Sequence, residues 1–339
     1  MTKKAVLLTG GMGYIGSHTA VELLESGYEV VLYDNLSNSD IDVKKKIHEI
    51  TNKKVSFVEG DVLDTRLLIQ TLKDFKVDSV IHFAGLKAVG ESVEKPIDYF
   101  DNNISGSISL LKAMKKAHVK KIVFSSSATV YGEPEYLPYD ENHPTSAINP
   151  YGRSKLHIEE MLKDVCTSDQ DFSAICLRYF NPVGSHESGL IGENPKDIPN
   201  NLMPYIAQVA AGKLKQLLIF GDDYPTHDGT GVRDYLHVMD LARGHMRALS
   251  FIGNNSGWHV FNLGTGTGVS VIEMVKTFEE VNQIDIPFKI TNRRPGDIAE
   301  FYSNSSKANT LLFWRSEKDI RSMCRDTWKF QMKLKETNI

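Results

Sequence analysis

Residues 5–26 constrain the fold more than any other stretch of this chain. Ala5-Val6-Leu7-Leu8 is a short apolar run with the length and composition of a buried strand. It passes into Gly10-Gly11-Met12-Gly13-Tyr14-Ile15-Gly16 and then into a helical pattern from Tyr14 to Ser26. Ile15, Ala20, Leu23 and Leu24 supply the apolar positions of that pattern, and Gly27 stops it. Strand, glycine turn and helix in this order are the context that a dinucleotide fingerprint requires. Gly10, Gly13 and Gly16 permit a tight turn and close backbone approach, and the helix N-terminus favours a pyrophosphate.

The alternation continues. Val30–Tyr33 reads as a second strand ending at Asp34, Val55–Val58 precedes Asp61, Val80–Phe83 precedes Ala84-Gly85, and Ile122–Phe124 precedes Ser125-Ser126-Ser127. Continuous apolar strands separated by helical patterns predict an α/β chain with a Rossmann-like, doubly wound parallel sheet. Ligands of such sheets bind beyond the carboxyl ends of the strands, which is where Asp34, Asp61, Phe83 and Ser125 fall. Ser173–Arg178 is a further strand. From about 181 to 235 the chain is rich in Gly, Pro, Asn and Asp, with a helix near Leu202–Ala211 and a strand near Leu217–Ile219. His259–Leu263 reads as a strand that rejoins the sheet. The expected division is a nucleotide-binding domain over 1–180, to which segments near 234–265 return, and a smaller, discontinuous α/β substrate lobe over most of 181–339.

At 339 residues with a net charge of −4, the chain gives no support for a nucleic-acid or anionic-membrane partner. Cys166, Cys176 and Cys324 form no CxxC pair and no disulfide framework, which fits a reducing cytoplasm. The apolar stretch after Met1-Thr2-Lys3-Lys4 is too short for a signal-peptide core, and no run is long enough to span a membrane. Asp222–Gly229 lacks the alternating acids of a calcium loop, and the histidines lack zinc-ligand spacing on one helix, so no metal is expected.

Asp34, at the end of the second strand, is placed to accept from adenosine ribose hydroxyls, and its charge opposes a 2′-phosphate, so NAD is expected over NADP. Asn149-Pro150 opens a helix with Asn as cap and Pro at the first position. That helix carries Tyr151 and Lys155, four apart and on one face. An ammonium beside a phenol favours the phenolate, which predicts Tyr151 as a general base for an alcohol proton. His82 ends a core strand and reads as a satisfied core histidine.

These residues, together with several longer segments, resemble the extended short-chain dehydrogenase/reductases. Within them the chain resembles the branch that inverts C4 of UDP-hexoses. The matching segments include Thr9–His18, Asp34–Asn38, Phe83–Ser92, Ser125–Gly132 and Tyr151–Lys155. They continue with Arg178–Gly184, Pro199–Tyr205 and Gly229–Tyr235. The resemblance runs from about 4 to about 330. It implies reversible epimerisation of UDP-galactose and UDP-glucose, by transient hydride transfer to tightly bound NAD through a 4-keto sugar. It adds Tyr14, Ile15, Asn35, Asn38, Asp61 and Val62 to the NAD contacts. It also adds Phe83, Ala84, Gly85, Lys87, Asn102, Ser125, Tyr151, Lys155 and Phe180.

The same resemblance has Tyr151 and Ser127 on the sugar, with Ser127 bonding the 4-oxygen. Arg233 and Arg294 are the candidates for the diphosphate, because an Arg fork matches phosphate oxygens. Asn181 and Asn201 are implied as polar contacts, Leu202 and Phe220 near the uracil, and Asp297 toward the ribose. Phe301 occupies the position that limits room for a 2-acetamido group, so UDP-glucose and UDP-galactose are expected over their N-acetyl counterparts. Ala128-Thr129-Val130 after Ser127 lacks the acids of the sugar dehydratases. The rival readings are a 4-epimerase for another UDP-sugar and a silent NAD-dependent scaffold. A homodimer is implied, through helices at Asp98–Ala117 and Tyr151–Val165.

Overall fold

The computed structural model describes residues 5–195, 199, 201–294 and 296–337. Asn200 and Pro295, which fall in or beside the segments above, lie outside them. The first half of the chain runs β1 (Ala5–Thr9), α1 (Tyr14–Glu25), β2 (Glu29–Asp34), α2 (Asp42–Thr51), β3 (Ser56–Glu59), α3 (Thr65–Asp74) and β4 (Val77–His82). After β4 come α4 (Val89–Glu94), α5 (Pro96–Phe100), one π-helical turn (Asp101–Ser105), α6 (Gly106–Ala117), β5 (Lys121–Ser125), α7 (Pro150–Ser168) and β6 (Ser173–Tyr179). The second half holds β7 (Asn181–Val183), α8 (Leu202–Ala210), β8 (Leu217–Phe220), β9 (Val232–His237), α9 (Val238–Ile252), β10 (Gly257–Leu263) and β11 (Gly268–Ser270). It ends with α10 (Val271–Asn282), β12 (Phe288–Thr291), β13 (Glu300–Phe301), α11 (Ser306–Leu312) and α12 (Ile320–Thr337).

Seven strands form one parallel sheet in the order β10-β6-β5-β4-β1-β2-β3. The order reverses between β1 and β4, which makes the crevice between their carboxyl ends the topological switch point. Alternate strand residues face opposite layers. Val6, Leu8, Val30, Leu32 and Ile81 pack with α1, α2, α9 and α11. Leu7, Val31, Val80, Ile122 and Phe124 pack with α3, α6 and α7. Burying both faces explains why these strands read as unbroken apolar runs.

β10 joins the outer edge of the sheet beside β6. The remaining strands form two small sheets. β9 holds β7, β11 and β13, and β8 pairs with β12. A separate apolar cluster lies under α8, α10 and α12, with Met203, Ile206, Met274, Phe278 and Met323 at its centre. Among the described residues no helix is long and apolar enough to cross a membrane.

Candidate active site

The glycine turn is built for close approach. Gly10 has φ +69°, and a Cβ there would stand 2.7 Å from the Ala84 amide nitrogen at the end of β4. A Cβ on Gly16 would run into the Gly10 carbonyl. Both glycines are therefore required by the backbone itself. No side chain caps α1, whose N-cap is Gly13, and its first turn carries no acid. Its amides are left for an anionic ligand. Gly13 differs from its neighbours: it has φ −72°, and a Cβ would meet only the Gly10 carbonyl, at 3.3 Å. Gly13→Ala is expected to leave the fold intact while placing a methyl on the turn where the glycine fingerprint would seat a pyrophosphate. The expected result is a loss of about tenfold or more in NAD affinity at an unchanged circular dichroism spectrum.

Asp34 ties this turn together as well as ending β2. Its Oδ2 accepts from the Met12 amide at 3.0 Å, and its Oδ1 accepts from the Leu36 amide at 2.9 Å and Ser39 Oγ at 2.8 Å. Asn35 Nδ2 donates to Asp61 Oδ2 at 2.8 Å, joining the ends of β2 and β3. Asn38 is exposed, Ile15, Phe83 and Ala84 are half-buried, and Val62 is buried. Tyr14 Oη donates to the Gly184 carbonyl at 2.6 Å, which ties α1 to the segment after β7. Asn102 lies on the π turn and is half-buried. The expected helix over Asp98–Ala117 runs from α5 through this turn into α6, and the turn is a π-bulge within it, a feature that recurs at functional sites.

The Tyr-Lys-Ser constellation forms where β5 and α7 meet. Asn149 Oδ1 accepts from the Gly152 amide at 2.8 Å, and Pro150 begins the helix. This cap sets Tyr151 in the first turn and Lys155 in the second. Tyr151, Lys155 and Ser127 are all buried. Lys155 Nζ donates to the Ser125 carbonyl at 2.9 Å and lies 5.8 Å from the Tyr151 ring centroid and 4.8 Å from that of Phe124. Ser127 Oγ accepts from Thr129 Oγ1 at 2.9 Å and from the Thr129 amide at 3.2 Å.

Burial works against what the i,i+4 spacing alone favours. Burial pushes the Tyr151 phenol well above its usual range, the neighbouring Tyr179 adds to this, and hydrogen bonding by Ser127 opposes it. Lys155 is itself pulled down to about 8 by burial, with the Glu159 carboxylate resisting. The ammonium is committed to a backbone carbonyl rather than to the phenol. Positive charge brought beside the ring by a bound group would lower the phenol. His82 is held by Thr9 Oγ1 at 2.6 Å and Ser107 Oγ at 3.0 Å, and burial and then Lys155 pull it down to about 3. It is a satisfied, neutral core histidine.

On the other side of the cleft, Asn181 Nδ2 donates to the Asp234 carbonyl at 3.1 Å, and Asn201 precedes α8, which begins with Leu202. Arg294 makes two bonds to Asp297, at 3.0 and 3.3 Å, with its guanidinium 4.7 Å from the Phe220 ring centroid. Arg233 Nη2 stands 3.9 Å from the same carboxylate, and its Nη1 donates to the Val232 carbonyl at 2.9 Å. Asp297 thus gathers both arginines, with Arg294 over the Phe220 ring. Arg293 is turned away, onto Asp223 and the Tyr224 ring. Phe301 pairs in register with Arg233, and its ring is 5.0 Å from that of Phe180 and 4.8 Å from that of Tyr139. An aromatic wall therefore joins the two sides of the cleft.

Four supporting residues escaped the reading of the sequence. Glu159 lies buried one turn beyond Lys155, takes two bonds at 3.1 Å from Arg178 Nε and one at 2.6 Å from Nη2, and accepts from Ser126 Oγ. Its i+4 spacing from Lys155 was the available signal. Tyr179 Oη accepts from Ser125 Oγ at 3.1 Å. Asn103, next to Asn102, bonds both backbone groups of Leu86 and Ser154 Oγ, fixing the loop after β4 to α7. Asp234 is wholly buried and accepts from Thr265, Gly266 and Ser303. These last three have no periodic signature.

A glycine cradle at the switch point and a buried Tyr-Lys-Ser cluster one strand away define a class, the short-chain dehydrogenase/reductases. Known proteins narrow it. Residues 7–327 match the GDP-mannose 4,6 dehydratase family. A UDP-glucose 4-epimerase of Bacillus subtilis is 55% identical over 327 residues, which span 96% of each chain. The crystal structure of UDP-glucose 4-epimerase from Stenotrophomonas maltophila, with bound NAD and formylated UDP-arabinopyranose, superposes with a TM-score of 0.97 at 50% identity. It covers 98% of this chain and 99% of that one. The Bifidobacterium longum UDP-glucose 4-epimerase, in complex with NAD+ and UDP, gives 0.94 at 52% identity over 97% and 98% of the two chains. The chain belongs to the UDP-glucose 4-epimerase family, within the extended short-chain dehydrogenase/reductases.

Proposed function

We propose that this protein interconverts UDP-galactose and UDP-glucose by inverting C4 of the hexose, with NAD held as a prosthetic group. The carrying observation is the burial of Tyr151, Ser127 and Lys155 together at the carboxyl edge of the sheet, beside the glycine cradle. The backbone requirement at Gly10 and Gly16 fits a dinucleotide lying against the turn. The Gly10–Gly16 turn and the α1 N-terminus would hold the pyrophosphate. Asp34 and Asn35 would hold the adenosine ribose, with Asn38, Asp61 and Val62 alongside. Phe83, Ala84, Gly85, Lys87, Asn102, Ser125 and Phe180 would line the remainder. When bound, NAD supplies a reversible two-electron acceptor for the carbon undergoing inversion.

The chain's own residues handle the proton and the pose. Tyr151 Oη takes the proton of the 4-hydroxyl and returns it after the sugar has presented its other face. Ser127 Oγ hydrogen-bonds the 4-oxygen and orients the transfer. Lys155 stays anchored on the Ser125 carbonyl and holds positive charge behind the phenol. Arg233 and Arg294 neutralise the diphosphate, while Leu202 and Phe220 flank the uracil. Asn181, Asn201 and Asp297 supply polar contacts.

Residues 1–180, with 234–265, form the NAD-binding unit of this reading, and most of 181–339 forms the UDP-sugar lobe. The working state is a cytoplasmic homodimer, paired through the helices at Asp98–Ala117 and Tyr151–Val165. A scattering-derived mass at monomer size contradicts the dimer. The function is tested by incubating purified protein with UDP-galactose and no added NAD. UDP-glucose is the expected product, and its absence overturns the reading.

Phe301 sets the sugar. Its ring packs against Phe180 and Tyr139, and a bulky side chain held there supports exclusion of a 2-acetamido group. Wild-type protein is expected to prefer UDP-galactose over UDP-N-acetylgalactosamine. Phe301→Cys should raise kcat/KM for the N-acetyl substrate by about tenfold or more, since pocket volume alone is worth about 1–3 kcal/mol. Equal wild-type turnover of both sugars refutes this assignment.

A further inference from the structure

Glu193 is a carboxylate to which the mechanism above gives no part. Its side chain is 11% exposed, in the segment that follows the bridge between Ser185 and Gly192. One of its oxygens serves two donors from different sides of the cleft. Oε1 accepts from Lys87 Nζ at 2.7 Å and from Asn201 Nδ2 at 3.0 Å. Lys87 lies in the loop between β4 and α4, and Asn201 immediately precedes α8. The backbone that presents Glu193 is itself pinned. Gly192 packs so closely on the Phe330 ring of α12 that a Cβ there would collide with it, and the His186 amide donates to the Ile191 carbonyl at 3.2 Å. The carboxylate also lies close enough to Tyr14, at the start of α1, to add to what burial does in raising that phenol.

We propose that Glu193 is a positioning residue that couples the two halves of the site, holding the Lys87 ammonium at the cofactor edge and the Asn201 amide at the sugar-nucleotide edge. The proposal rests on the functional reading above, which places those two residues at NAD and at the substrate. The physical argument is preorganisation. The Lys87 side chain is half-exposed, and a long, free lysine loses rotamer entropy whenever it is ordered by a ligand. Pairing with a fixed carboxylate removes that cost before NAD arrives. Asn201 is oriented by the same oxygen, so its amide just before α8 is held in place without a ligand.

Two substitutions separate the two roles. Glu193→Gln keeps the shape and an acceptor oxygen but removes the charge, whereas Glu193→Ala removes both. With purified full-length protein, Glu193→Gln should retain about tenfold less NAD through gel filtration while titrating UDP with near wild-type affinity. Glu193→Ala should lose NAD similarly and also weaken UDP binding by about tenfold. Lys87→Met should reproduce the NAD loss alone, and adding Glu193→Gln to it should cost nothing further. A purely structural role for Glu193 predicts additive losses in that double variant and equal effects on both ligands, and either result overturns the proposal. Unchanged NAD retention and UDP affinity in Glu193→Ala overturns it too, while wild-type conversion of UDP-galactose leaves the functional reading standing. Wild-type protein that neither converts UDP-galactose nor binds UDP defeats that reading, and the proposal with it.

Discussion

Tyr151→Phe should lower the rate of UDP-galactose epimerisation by about 10²–10⁴-fold, the usual worth of a positioned acid–base group, while NAD stays bound. The substitution removes a single oxygen from a buried ring. Burial and the neighbouring Tyr179 already push that phenol up, and the Ser127 bond pulls against them. The expected loss therefore falls in kcat, with KM for the UDP-sugar nearly constant, because the uridine and diphosphate contacts lie elsewhere. Steady-state kinetics with a NAD assay of the purified variant checks both parts. An unchanged rate refutes Tyr151 as the base. Loss of NAD together with rate assigns Tyr151 to cofactor binding instead.

The second large effect is on stability. Glu159 and Arg178 form a buried pair with side chains 2% and 5% exposed. Glu159→Gln keeps the volume but leaves the guanidinium without a countercharge. Breaking such a pair by removing one partner costs about 3–5 kcal/mol, so thermal and urea unfolding should shift markedly. A catalytic consequence accompanies it. Burial holds Lys155 at about 8, and the Glu159 carboxylate is what keeps it from falling further. Lys155 is an ammonium below that pH and neutral above it. Removing the carboxylate lowers the Lys155 pKa, so charge is lost at a lower pH. The alkaline limb of the kcat profile should then move to lower pH in Glu159→Gln. A normal melting curve contradicts the stability argument, and an unmoved alkaline limb contradicts the link to Lys155.

Much of this was legible in the residues. The strands ending at Asp34, His82, Ser125 and Tyr179 carry consecutive apolar residues because both of their faces are covered, and polar residues gather at their carboxyl ends. The α7 N-terminus was readable from Asn149-Pro150, because capping is local chemistry. The π turn at Asp101–Ser105 was not, since Asn102 and Asn103 keep an ordinary helical pattern and the extra residue is accommodated only by packing. Nor was the arrangement of Arg233, Arg294 and Asp297, which depends on β9 and β13 meeting from distant parts of the chain.

By itself, the sequence determined the parallel sheet, the glycine cradle, the NAD-favouring acid and the Tyr151–Lys155 face. Each of these rests on interactions between residues near one another in the chain, or on a periodicity that burial imposes. Only the tertiary structure decided how the pair is charged. Lys155 donates to the Ser125 carbonyl, Glu159 stands behind it, and Tyr151 is buried, so desolvation outweighs the local attraction that i,i+4 spacing suggests. Desolvation depends on everything packed around a group, and that is information no short spacing contains.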